Sequence, residues 1–280
     1  MIFKKIAIIG AGLIGGSIGL AVKERRLAKS VIGIGRRSVS IKEALRRGAI
    51  DFGTKDLPKG VSGADLVVIA TPVGLIPKIA AEIFGALKKG VVVTDVGSTK
   101  SSVVKEIEDL LPREILFVGS HPLAGSEKKG ALSAESDLFE GSVVVMTKTD
   151  RTNNLALRRL SGFWKSLGAA RVVIKSPEEH DKIVAEISHL PHIVTTALIN
   201  SANAEYLDFA STGFKDTTRI AASDPGIWKD ICITNGGQII KAINRYERYL
   251  SRLKKLIVDG KWESLKREFA KSKDIREKLR

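Results

Sequence analysis

The sequence predicts a doubly wound parallel α/β domain over residues 1–175, followed by an all-helical domain over residues 176–280. Three observations predict it. Short, almost continuous apolar runs alternate with amphipathic helical patterns up to about residue 175, as in a parallel sheet covered on both faces. A glycine-rich turn joins the first such run to the first helical pattern. After Ser176-Pro177 the strand-like runs stop and long helical patterns take over.

Taken in order, the strand-like runs are Phe3–Ile9, Val31–Ile34, Leu66–Ala70, Val91–Thr94, Leu116–Val118, Ser142–Thr147 and Arg171–Ile174. Helices are expected at Leu13–Leu27, Ser40–Arg47, Leu75–Leu87, Lys100–Leu110 and Asn153–Leu167, with Gly35, Gly90 and Gly168 punctuating element ends. Beyond the boundary, helices are expected at Glu178–Asn200, Tyr206–Ala210 and Ile227–Val258, followed by a charged final segment Trp262–Arg280. Pro191 and Pro225 should each kink or start a helix.

The first turn reads Gly10-Ala11-Gly12-Leu13-Ile14-Gly15 between a strand and a helix, the context that gives this glycine spacing meaning. Gly10 allows the tight turn, Gly12 lets backbone approach a pyrophosphate, and Gly15 lets the helix lie against the strand. The helix start at Leu13 and Ile14 then offers free N–H groups and partial positive charge to phosphates. A Rossmann-type dinucleotide site is therefore expected here, with Thr71-Pro72, just past the third strand-like run, included in it; the alternative is a tight turn that binds nothing. The second run ends Gly35-Arg36-Arg37-Ser38, where an NAD site would carry an acid for the ribose hydroxyls. Two arginines and a serine suit a 2′-phosphate through charge-assisted bonds, so NADP is expected over NAD. The bland alternative is that both arginines are simply solvated.

Composition narrows the field. Hydrophobic residues make up 44% and charged residues 28% of 280, ordinary for a globular protein with a sizeable core. No apolar run approaches the roughly 18 residues needed to span a bilayer, and no signal-peptide pattern precedes the first strand. A cytoplasmic protein is therefore expected, with no membrane partner. The single cysteine, Cys232, excludes an internal disulfide and a multi-cysteine metal site, and is expected as a buried small apolar residue. The net charge of +15 raises a nucleic-acid reading, but the basic residues are dispersed and aromatics are only 5%. No nucleic-acid partner is expected; the charge either attracts anionic small molecules or is a solvated surface. The near absence of glutamine beside abundant charge fits a heat-adapted protein.

Three stretches are polar where a core would not tolerate them: Thr94–Lys100 and Gly119–Glu127 at strand ends, and Ser188-His189-Leu190-Pro191-His192 inside a helix. His121 is the best general-base candidate, since histidine titrates near neutrality; the alternative is a hydrogen-bonded turn histidine. His189 and His192 share a helix face, but no third ligand stands at a useful spacing, so no metal is expected. Lys215 and Arg219, four apart, could together face a carboxylated substrate or could be a surface pair.

Gly10–Ser17, Asp95–Lys100, His121–Glu127, Ser188–His192, Gly213–Arg219 and Ser223-Asp224-Pro225, in this order, resemble prephenate dehydrogenase of tyrosine biosynthesis and its arogenate-using relatives. The resemblance spans nearly the whole chain. It implies a nucleotide-binding domain, a helical domain that forms a homodimer, and an active site in the cleft between them. It also implies NAD(P)-dependent oxidative decarboxylation of prephenate, or of arogenate. On the matching positions, His121 would be the catalytic histidine and Ser98 the serine that orients it and the ring hydroxyl. Arg219 would bind a substrate carboxylate, supported by His189, His192 and Lys215. Glu127 and Asp216 would pair with that arginine, and Ser126, Ser188 and Trp228 would line the pocket. Gly35 departs from NAD-using members of the family and points to arogenate, whereas His192 points to prephenate. At 280 residues the stand-alone form, without a fused mutase or regulatory domain, is expected. The more remote readings are a β-hydroxyacid or imine-type reductase and a non-enzymatic dinucleotide sensor.

Overall fold

The computed structural model describes residues 3–112, 114–125 and 130–279, which form two compact units, 1–236 and 237–280. The expectations for Ser126 and Glu127 lie outside the described residues.

In the first unit, six parallel strands run in the order β3-β2-β1-β4-β5-β6: β1 Phe3–Ile9, β2 Ala28–Ile34, β3 Phe52–Thr54, β4 Leu66–Ile69, β5 Val92–Asp95 and β6 Leu116–Phe117. Period-two alternation divides each strand between two cores. Ile6, Ile8, Leu66, Val68 and Val92 face one side with Ile18 and Val22 of α1 (Leu13–Glu24). Leu160, Phe163 and Trp164 of a later helix complete that core. Ala7, Ile9, Val67, Ile69 and Val93 face the other, under Ile76 and Ile83 of α4 (Ile76–Ile83) and Val103 and Ile107 of α5 (Ser101–Leu110). Near-continuous apolar strands are therefore the signature of burial on both faces. Between them come α2 (Ser38–Arg46) and α3 (Leu57–Val61). The order reverses between β1 and β4, which puts the carboxyl ends of those two strands at a topological switch point, where such sheets bind ligands.

The expected strands Ser142–Thr147 and Arg171–Ile174 do not join this sheet. They form a second one, with β7 (Ser120–Pro122) antiparallel to β8 (Val143–Thr147) and β8 parallel to β9 (Arg171–Lys175). The connection from β8 to β9 runs through α6 (Asn154–Ser166), opened by Asn153, whose side chain accepts from the N–H groups of Leu155 and Ala156. Strand β9 leads within one residue into α7 (Pro177–Val184), started by a reciprocal capping box between Ser176 and Glu179. What periodicity presents as one long helix over Glu178–Asn200 is α7, a π-helical turn Ala185–His189, and α8 (Leu190–Ser201). Pro191 has no N–H for the carbonyl of Ile187, and the widened turn accommodates its ring.

After a 3₁₀ segment, Ala204–Phe209, come α9 (Thr212–Thr218) and a 3₁₀ turn Arg219–Ala222, both packed on α8. A helical run α10 (Pro225–Val258) leaves helical geometry at Asn235, with φ −128° and ψ 19°. Cys232 is half-buried rather than buried, because it stands one position round the helix from the inward-facing Ile231. The second unit holds the end of that run and α11 (Trp262–Lys278), joined through Gly260 at φ 62°. Within it, Glu268 accepts from Tyr249 Oη (2.5 Å) and Arg252 (2.6 Å), while Ile240, Leu250, Ile257 and Trp262 remain exposed. No strand occurs beyond β9 among the described residues, and no helix there is long and apolar enough to cross a membrane.

Candidate active site

At the switch point, Gly10 has φ 91°, and a Cβ there would stand 2.6 Å from the Ala70 carbonyl. A Cβ on Gly15 would stand 2.2 Å from the Gly10 carbonyl, whereas one on Gly12 would meet nothing within 4 Å. The turn is therefore closed against the sheet and open outward at Gly12, where backbone is free to meet a ligand. Helix α1 has no side-chain cap, and the Thr71 hydroxyl is buried without a hydrogen-bond partner. Uncapped N–H groups, an open glycine and an orphaned hydroxyl fit a pyrophosphate-bearing dinucleotide. Leu13, Ile14 and Pro72 border the same turns. Arg36, Arg37 and Ser38 are exposed where β2 passes into α2, one strand away.

A hydrogen-bonded chain of two histidines and an aspartate begins on the small sheet. His121 lies inside β7, opposite Val145, rather than at the end of a strand of the main sheet. Its Nδ1 is 2.8 Å from His180 Nε2, and His180 Nδ1 is 2.8 Å from Asp181 Oδ1. The Asp181 carboxylate also accepts from the backbone N–H groups of Lys100 (2.7 Å) and Ser101 (2.8 Å) at the start of α5. Burial alone would raise the Asp181 carboxyl, but the bonds from His180, Ser101 and Lys100 outweigh it and hold it below the usual carboxylate range. Asp181 is thus a fixed acceptor, which puts a proton on His180 Nδ1. Burial lowers His180 despite the Asp181 bond, so the ring is neutral and its Nε2 is an acceptor. His121 must then carry its proton on Nδ1. Burial, reinforced by His180, Lys100 and His189, holds His121 well below its ordinary value. Its Nε2 consequently presents a lone pair at neutral pH, as a general base requires.

The floor beneath is a buried ion pair. Lys100 Nζ lies 2.5 Å from Asp95 Oδ2 and donates to the carbonyls of Gly97 (2.8 Å) and Thr99 (3.1 Å), with both side chains fully buried. Asp95 Oδ2 also accepts from Gly97 N, so the pair clasps the turn that carries Ser98, itself half-buried. Ser120, beside His121, accepts from Thr94 Oγ1 (2.9 Å) and Trp164 Nε1 (3.2 Å), which ties β7 to the main sheet.

A third group gathers on the π-turn and α8. His192 stacks on Trp228 with ring centres 3.8 Å apart, and His189 meets the same indole edgewise at 5.9 Å. His192 Nδ1 donates to the Ser188 carbonyl (3.0 Å), leaving Nε2 beside the Ser223 hydroxyl at 3.4 Å. Lys215, Asp216 and Arg219 are exposed on α9 and the turn after it. Among the described residues, no cluster of three His, Cys, Asp or Glu side chains could hold a metal.

Family models for the "Prephenate dehydrogenase, nucleotide-binding domain" and the "Prephenate dehydrogenase, dimerization domain" match residues 18–174 and 176–271. The chain belongs to the prephenate dehydrogenase family. It is 37% identical to prephenate dehydrogenase of Bacillus subtilis over 98% of this chain and 76% of that protein. It is 33% identical to cyclohexadienyl dehydrogenase of Zymomonas mobilis over 98% and 96% of the two chains. A solved prephenate dehydrogenase from Aquifex aeolicus, in complex with hydroxyphenyl propionate and NAD+, superposes with a TM-score of 0.92 at 34% identity over 99% and 98% of the two chains. Members of this family are oxidoreductases with a nucleotide-binding domain, which supports a nicotinamide dinucleotide cofactor for this chain.

Residue reasoning missed His180, Asp181, Asn235 and the Lys100–Asp95 pair. One signal was present: His180 and Asp181 occupy the same face of α7 as the buried Pro177 and Val184, polar residues where periodicity demands apolar ones.

Proposed function

We propose that this protein catalyses the NAD(P)-dependent oxidative decarboxylation of prephenate to 4-hydroxyphenylpyruvate in tyrosine biosynthesis. The observation that carries it is a half-buried histidine whose Nε2 is kept as a lone pair by a neutral histidine and an ionised aspartate. An oxidised nicotinamide dinucleotide, held by the glycine turn and Thr71-Pro72, would supply the acceptor for a hydride from the hydroxyl-bearing ring carbon. His121 Nε2 accepts the proton of that hydroxyl as the carbonyl forms. Loss of the ring carboxylate as carbon dioxide leaves a phenolate, and His121 returns the same proton to it, so protons balance over the cycle. General-base assistance of this kind is worth about 10²–10⁴-fold, and aromatisation supplies the remaining drive. Ser98, on the clasped turn, orients the hydroxyl. Arg219 binds a substrate carboxylate with Lys215, His189 and His192, while Ser188 and Trp228 shape the pocket and Asp216 pairs with the arginine. Residues Ser126 and Glu127 are assigned to the same pocket by family resemblance alone. Gly10, Gly12, Leu13, Ile14, Gly15, Thr71 and Pro72 hold the cofactor.

NADP is the preferred cofactor in this reading, because Arg36, Arg37 and Ser38 stand exposed where an acid would select NAD. Arogenate is the alternative substrate. The exposed apolar side chains of residues 237–280, together with the family description of the C-terminal segment, support a homodimer built on a helical domain from residue 176 onward. The deciding experiment offers prephenate or arogenate with NADP or NAD and follows absorbance of the reduced nicotinamide. No turnover in any combination would overturn the assignment. In the active pairing, His121→Ala should lower kcat far more than it raises KM, and Arg219→Ala should do the reverse.

A further inference from the structure

Asn235 stands where the α10 helical run leaves helical geometry, 4% exposed, and no part of the reaction described above uses it. Its side-chain nitrogen lies 2.9 Å from the Asp181 carbonyl and 3.2 Å from His189 Nδ1. A carbonyl can only accept, so the amide must face it with nitrogen rather than oxygen, which fixes the orientation of the whole group. The second amide proton then points at His189 Nδ1, and a donor there requires a lone pair on that atom. The imidazole proton of His189 must sit on Nε2. Burial lowers this ring to about 4 against the opposing pull of Asp181, so it stays neutral at physiological pH. Among the described residues, Nε2 has no hydrogen-bond partner.

We propose that Asn235 is a positioning residue that fixes His189 as a neutral Nε2–H donor to a carboxylate oxygen of the substrate. The proposal rests on the dehydrogenase reading for its ligand, but not for its tautomer. Asp181 connects the two histidines with opposite polarity. Through its carboxylate and His180 it leaves His121 an acceptor at Nε2; through its carbonyl and Asn235 it leaves His189 a donor at Nε2. The site therefore meets the substrate with one proton acceptor and one proton donor, neither needing a change of charge to bind. The π-helical turn that carries His189 seats the ring against Trp228, and Asn235 sets its hydrogen-bond polarity.

The chain has 4 histidines, so nitrogen NMR of the ligand-free protein can resolve the tautomer of each, with His189 assigned by its loss in His189→Gln. The expected result is protonation of His189 at Nε2 and of His121 at Nδ1. In Asn235→Asp the carboxylate faces His189 Nδ1 and should draw a proton there, while KM for the substrate rises about 10- to 100-fold and kcat changes less. His189→Gln, which keeps a donor near the Nε2 position, should bind substrate more tightly than His189→Leu. A His189 protonated at Nδ1 in the native protein overturns the proposal. So does an Asn235→Asp protein that keeps the proton on Nε2 with an unchanged KM. Should Asn235→Asp not fold, the native tautomer and the Gln–Leu comparison still decide. Absence of turnover by the native enzyme would defeat the dehydrogenase reading alone, since the tautomer is measured without substrate.

Discussion

Replacing His180 tests the proposed acid–base role of His121 most directly. His180→Leu keeps side-chain bulk in a fully buried position while removing both imidazole hydrogen bonds. The bond to ionised Asp181 is charge-assisted, worth about 1.5–3 kcal/mol, and the neutral bond to His121 about 0.5–1.5 kcal/mol. Asp181 keeps its two backbone donors, Lys100 and Ser101, so the start of α5 should hold and the fold should survive with a lowered Tm. The larger effect is kinetic. Nothing then compels the His121 proton to stay on Nδ1, and a tautomer with the proton on Nε2 cannot accept from the substrate. Misdirecting the tautomer of a catalytic histidine in hydrolytic triads costs on the order of 10⁴-fold. Here the defect is one residue removed, and kcat is expected to fall about 10²–10³-fold with KM nearly unchanged. His180→Gln can still offer an amide oxygen to His121 Nδ1, so it should recover much of that loss despite breaking the bond to Asp181. Steady-state assays of reduced nicotinamide, paired with circular dichroism and a melting curve, would decide. A folded His180→Leu protein with native kcat would refute the reasoning, as would equal activity of the Leu and Gln variants.

Arg36→Ala combined with Arg37→Ala should lower kcat/KM for NADP by about 10- to 100-fold and leave NAD little affected, as loss of charge-assisted phosphate bonds predicts. Because His121 is held well below 6.5, kcat/KM should stay flat as the medium is acidified past 6.5 and fall only below the depressed value; a pH–rate profile reads this. The same logic applies to stability. His189 is neutral when folded and has a depressed value, so its contribution is complete above 6.5 and is lost as pH falls from 6.5 towards about 4. That loss amounts to about 3 kcal/mol, visible as a declining urea midpoint. Lys100→Met should cost about 3–5 kcal/mol by stranding the buried Asp95 carboxylate, and adding Asp95→Leu should restore much of it in the same denaturation assay.

The main sheet was legible because burial on both faces writes itself as unbroken apolar runs, and β1, β4 and β5 read almost to their termini. The glycine turn was legible because Gly10 and Gly15 tolerate no side chain. Shorter pieces were not: β3 and β7 have three residues each, too few for a period, and β7 contains Pro122. The sorting of β8 and β9 into a separate sheet depends on tertiary pairing that no local pattern encodes. His121 stands out in the sequence as a polar residue at a strand, yet the hydrogen-bonded partners that set its tautomer, His180 and Asp181, lie 59 and 60 positions away on another element. Polar residues on the inward face of α7 were the trace they left.

The small sheet has a further consequence. His121 sits on β7, and His180 follows β9 by five residues through the capped start of α7, so the hydrogen-bonded histidine pair hangs from a frame of its own. The end of β2, where the nucleotide's ribose would be read, belongs to the larger sheet. On the proposed reading the two functions are separable by mutation: exchanging residues 35–38 would retune the coenzyme without disturbing a tautomer.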